Sequence, residues 1–191
     1  MQLQKLALTL TMATLLIGCV SQISREKKEN IPSTTTQPII PISLKAAIED
    51  LRVIRIKIEG EGGINPKEYG ENLADLVQVV DKAYGNAKAL AAVKSAVEGH
   101  KLALQFLQCD RVNGYDQLYQ CRNKVLKGVF VKYPDIAAQA KAAVEGKSLS
   151  NISAFLDKDA VLQAIWQKTG QDTEAALQVV NPPPKPKENP H

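Results

Sequence analysis

Three cysteines, one internal histidine and a knot of arginine and tyrosine are the side chains of this 191-residue chain best suited to chemistry or recognition. Cys109 and Cys121 have eleven residues between them, whereas reactive dithiols are usually spaced C-x-x-C. They flank a turn, Asp110 to Gly114, that separates two helical patterns. A bridge there would clamp a helical hairpin and add about 3 kcal/mol through loop closure; two buried free thiols are the alternative. His100 sits beside Gly99 in an Ala-rich helical stretch. No nucleophile motif accompanies it, so it reads as a packing or surface histidine rather than a general base. Zinc needs three or four ligands, which His100 cannot assemble with the cysteines paired, so neither a metal nor a cofactor is expected. Gly146-Lys147-Ser148 ends like a phosphate-binding loop. The glycine required five residues earlier is Lys141 and no strand precedes, so it reads as a helix end. Asp157-Lys158-Asp159 is a carboxylate pair that helix capping and the macrodipole explain. Arg111, Tyr115, Tyr119 and Arg122, with Asp116, gather beside the cysteine pair. Tyr and Arg are the types favoured at interface hot spots, which makes this the candidate partner-binding face; a solvated helix end is the plainer reading.

The third cysteine belongs to a different feature. Met1 to Lys5 carries one positive charge, and Leu6 to Ile17 is a twelve-residue apolar run. That is short of the ~20 residues needed to span a bilayer, but has the plan of a secretory signal peptide. It ends in Leu16-Ile17-Gly18-Cys19. These four residues resemble the lipobox of bacterial lipoproteins: an aliphatic residue, a small or aliphatic one, Gly or Ala, then Cys. The resemblance covers only the first nineteen residues. It implies cleavage before Cys19, lipidation of that cysteine and anchorage to a membrane, since two or more acyl chains hold stably where one is marginal. Val20, where Asp would favour inner-membrane retention in Gram-negative members, points to the outer membrane, facing the periplasm. Export into an oxidising compartment also favours the Cys109–Cys121 bridge.

The elements that must position these groups are helical. Residues 1–18 form the expected signal peptide, and 19–42 a lipidated Cys and a Ser/Thr/Pro-rich tether too polar to bury a core. Residues 43–180 form one domain and 181–191 a Pro-rich tail. Within the domain, Leu44, Ala47, Ile48, Leu51, Ile54 and Ile58 keep i, i+3, i+4 spacing behind Ser43 as a cap. Asn65-Pro66-Lys67-Glu68 reads as a helix start, followed by a stripe from Leu73 to Tyr84. Asn86 to Gln108 is a third helix in which Gly99 would permit a kink. A fourth stripe runs from Leu118 to Tyr133 and stops at Pro134. Shorter helices are expected over Asp135–Glu145, Asp157–Thr169 and Asp172–Val180, with a turn near Ser153. A strand pair, 52–58 with 128–133, is the rival, but a lone two-stranded ribbon is marginal. The expectation is an all-α, compact bundle of about five to six helices.

Composition narrows the function classes. The chain is 45% hydrophobic and 23% charged, with 5% aromatic residues. Its net charge of +4 falls to +3 once Lys5 is removed with the signal. That is too mild for a nucleic-acid partner, which usually meets a clustered basic face. The expected function is a non-enzymatic, lipid-anchored envelope protein presenting a helical interaction domain to another envelope protein. A carrier of an apolar ligand and a periplasmic enzyme are the alternatives: a hollow apolar core would mark the first, a cleft with convergent titratable groups the second.

Overall fold

The structure, a computed structural model, describes residues 40–60, 63–145 and 149–182. The signal peptide, Cys19, most of the tether, the Gly146-Lys147-Ser148 motif and the tail from 183 onward lie outside the described residues. Six α-helices follow in order among the described residues: α1 (Ile42–Glu59), α2 (Pro66–Asp81), α3 (Ala87–Gln108), α4 (Tyr115–Lys132), α5 (Pro134–Ala143) and α6 (Lys158–Val180). Short 3-10 turns occupy Cys109–Arg111 and Leu149–Ala154. The all-α expectation holds, and the stretches proposed as a strand pair lie in α1 and α4 or at its end.

Local chemistry explains most of the helix starts. The Asn65 side chain accepts from the Lys67 and Glu68 amides at 3.1 and 2.9 Å, with Pro66 in the first turn, where its missing amide is no loss. Asn86 caps α3 through Lys88 and Ala89. Asp157 caps α6, accepting from the Ala160 amide at 2.7 Å. Ser43 is not a cap. Pro41, whose φ of −56° is already compatible with a helix, precedes the first turn, and its carbonyl accepts from the Lys45 amide. Ser43 thereby falls inside α1, its Oγ buried with no partner among the described residues.

Burial overrides local propensity at two glycines. Gly99 does not kink α3, which runs unbroken past it. The two helices expected at 157–169 and 172–180 are one, α6, continuous through Gly170. A mid-helix glycine costs only about 1 kcal/mol, and α6 buries Val161, Leu162, Ile165, Thr169, Thr173 and Ala176 along a single face. The second stripe is shorter than expected: α2 stops at Asp81, leaving Tyr84 68% exposed beyond it. Pro134 does end α4, yet it also opens α5 as a first-turn proline.

The core is built around α3 and α6, which pack along each other. Leu44, Leu51 and Ile54 of α1 and Leu73 and Leu76 of α2 fill in against them. Leu126 and Val129 of α4, then Ile136 and Ala140 of α5, extend the same core. Among the described residues no helix is long and apolar enough to cross a membrane.

Candidate functional site

The first candidate surface is the cysteine hairpin. Cys109 ends α3 in its 3-10 turn, and Cys121 lies in the second turn of α4. They form a disulfide with Cα atoms 5.6 Å apart, within the ~4.4–6.8 Å that a bridge requires. Beneath it Arg122 Nη2 donates to Asp110 Oδ1 at 2.6 Å, and Lys158 Nζ donates to Asp110 Oδ2 at 3.1 Å. Burial pushes the Asp110 carboxyl up, but these two cations outweigh it and hold the group below the usual carboxylate range. The Arg122 guanidinium also lies 5.5 Å from the Phe106 ring centroid. Ser153 ties the 149–154 turn to α4, its amide donating to Asn123 Oδ1 and its hydroxyl to the Tyr119 carbonyl.

The four candidate partner-binding residues therefore divide. Tyr115 is 79% exposed, and Arg111 and Val112 stand in solvent beside it. The Arg122 side chain is 14% exposed and braces the hairpin through Asp110. Tyr119 is half-buried. The hairpin presents Arg111 and Tyr115 outward and holds Arg122 and Tyr119 closer in.

The second candidate surface was not singled out from the sequence. A cleft of about 790 Å³ opens between α1 and α6, with His100 of α3 among its lining residues, within the ~300–1,000 Å³ usual for ligand sites. Arg55 crosses it, donating from Nε to Glu59 Oε1 at 2.8 Å and from Nη1 to Glu174 Oε1 at 3.0 Å. Gly170 lies under that reach, where even a Cβ would stand at an ordinary contact distance of 4.0 Å from the guanidinium. Gln163, Gln167 and Gln171 line the α6 side at four-residue intervals, hence on one face of the helix.

His100 is 2% exposed and belongs to a buried polar chain. Trp166 Nε1 donates to the Tyr69 hydroxyl at 3.1 Å, and that hydroxyl lies 2.7 Å from His100 Nδ1. The same hydroxyl is 3.4 Å from the His100 carbonyl, long for an O–H···O bond, so its proton is assigned to Nδ1. The imidazole then carries its own proton on Nε2, for which no protein partner is present among the described residues. The Tyr69 ring meets both neighbours edge to face, with centroids 5.8 Å from His100 and 6.3 Å from Trp166. Burial pushes the His100 pKa down to about 4 and the Tyr69 hydroxyl well above its ordinary value, so at neutral pH the chain is uncharged. Of the packing and surface placements expected for His100, the structure shows the first. What was missing was Tyr69 and Trp166, distant in sequence and ordinary members of their apolar stripes. The α6 glutamine spacing was the one signal of the cleft in the sequence.

Among the described residues no three His, Cys, Asp or Glu side chains converge as metal ligands would. Comparisons with protein-family models, curated proteins and solved structures give no match.

Proposed function

We propose that this chain is a lipid-anchored bacterial envelope protein whose helical domain binds another envelope protein through the outer end of the cysteine hairpin. The observation that carries the reading is the Cys109–Cys121 bridge, set directly beneath exposed Arg111, Val112 and Tyr115. Disulfides persist in oxidising compartments, which agrees with an exported chain and with the lipobox-like Leu16-Ile17-Gly18-Cys19. A clamped hairpin also holds a tyrosine and an arginine with little further entropy to lose on binding. Binding is favoured over catalysis because burial makes the one imidazole in the cleft a weak base, with its Nδ1 already occupied by Tyr69. An apolar carrier is disfavoured by the amides and carboxylates that rim that cleft.

Two measurements test the reading. In a bacterial host, Cys19→Ser is expected to lose acylation and leave the membrane fraction; a variant that stays membrane-bound rejects the anchor. Arg111→Ala with Tyr115→Ala is expected to lose a crosslinked envelope partner while helicity stays constant. An unchanged crosslinking pattern rejects this face.

A further inference from the structure

We propose that the cleft between α1 and α6 is a binding site for a neutral, N-acetylated saccharide, separate from the hairpin face. Three features of the cleft define the ligand. The first is the His100 Nε2–H, a donor on a residue almost wholly buried, lining the cleft and lacking a protein acceptor among the described residues. Open to the cleft and without a protein acceptor, it is free to donate to a ligand, and a carbonyl oxygen would accept it. An amide carbonyl is the strongest neutral acceptor a sugar derivative offers.

The second feature is charge. Arg55 is shared between Glu59 and Glu174, so one cation faces two carboxylates, and no lysine lines the cleft. An anionic ligand would meet a surplus of negative charge. With His100 neutral, nothing else compensates. The balance disfavours anions. A cation would suit it electrostatically but brings no acceptor for the His100 Nε2–H, so a neutral ligand bearing a carbonyl meets both conditions.

The third feature is the mixed wall. The α6 glutamines supply amide groups that both donate and accept, as a ring of hydroxyls requires. Trp166 and Ile58 add apolar surface between them. The Trp166 indole N–H is already bonded to Tyr69, so its ring is fixed in orientation before a ligand arrives. Sugars present hydroxyl edges and a C–H face, and they match a wall of amides beside an aromatic ring.

Trp166 is the chain's only tryptophan, so intrinsic fluorescence reads this cleft directly. The full chain would be titrated with N,N′-diacetylchitobiose, with maltose and inorganic phosphate as comparison probes. A saturable change with a dissociation constant at or below about 1 mM is expected for the acetylated disaccharide, and binding at least tenfold weaker for the other two. Gln167→Ala with Gln171→Ala, on the exposed side of α6, should weaken the chitobiose signal at least tenfold without loss of helicity. In a long-range ¹⁵N spectrum, the bound probe should shift the His100 Nε2 resonance. No saturable change, equal or tighter binding of maltose or phosphate, an unaffected glutamine variant, or a stationary His100 resonance would each overturn the proposal.

Discussion

Replacing Gly99 by alanine sets two effects of known size against each other. In an exposed helix interior the change stabilises by about 1 kcal/mol. Here the added Cβ would collide with the Tyr133 hydroxyl and stand 2.6 Å from Thr169 Cγ2, where carbon atoms prefer ~3.5–4.0 Å. Neither neighbour yields easily. Thr169 is β-branched and its Oγ1 donates to the Trp166 carbonyl at 2.8 Å, while Tyr133 is buried at the α4–α5 junction. The strain must therefore pass into the α3–α6 packing, where overfilling costs about 1–3 kcal/mol, here toward the upper end. The net expectation is a loss of about 2 kcal/mol, or about 1 M in urea midpoint at a slope of ~2 kcal/mol per molar. Gly70 supplies the control: its Cβ would meet Leu104 Cδ2 at 3.7 Å, an ordinary contact. Gly70→Ala should gain up to about 1 kcal/mol. Urea unfolding of both variants, followed by helical ellipticity and Trp166 emission, makes the comparison. A Gly99→Ala protein as stable as the parent would refute the argument from close approach.

His100 makes stability depend on pH. Its pKa is ordinarily about 6.5 and falls to about 4 on folding, so this contribution is complete above 6.5 and is lost as pH drops toward 4. The loss amounts to about 3 kcal/mol, and His100→Phe should remove that part of the slope in urea titrations across this range. Tyr69→Phe strips the Trp166 indole and His100 Nδ1 of their partner together; it should cost about 2–3 kcal/mol and alter Trp166 emission, and a loss under 0.5 kcal/mol would contradict the bonding described. Reduction of the disulfide should lower stability by about 3 kcal/mol through the reopened loop, while alkylation without reductant should leave Cys109 and Cys121 unlabelled. The Gln167→Ala/Gln171→Ala and Arg111→Ala/Tyr115→Ala pairs share no partners, so their effects on stability should add within about 0.5 kcal/mol in the combined variant.

What the sequence made legible follows the range of the forces involved. Asn65-Pro66 and Asp157 act through bonds to amides two or three residues away, so those helix starts could be read directly. The hairpin and its bridge were legible for the same reason, being formed by neighbours in the chain. Gly99 and Gly170 carry local signals of interruption, and both are overruled by contacts with other helices. Arg122 stood out as a potential interface residue by type. Its place beside Asp110 depends on how the turn folds back, and Lys158 joins the pair from 48 residues away. The cleft was the least legible of all, because its floor joins α2, α3 and α6 through single bonds between Tyr69, His100 and Trp166.

Gly99 and His100, adjacent in α3, supply the two halves of one arrangement. Lacking a Cβ, Gly99 lets α3 approach Thr169 of α6 and Tyr133 closely, and that approach helps to close the gap in which His100 lies. Closure removes water from the imidazole, which depresses its basicity and keeps it neutral. A neutral imidazole has one proton to place, and the Tyr69 hydroxyl, itself held by Trp166, directs it to Nε2. A larger residue at 99 would therefore alter more than stability. By spreading α3 from α6 it would rehydrate His100 and raise its pKa toward 6.5, so that at mildly acid pH the cleft would gain a positive charge and admit different ligands.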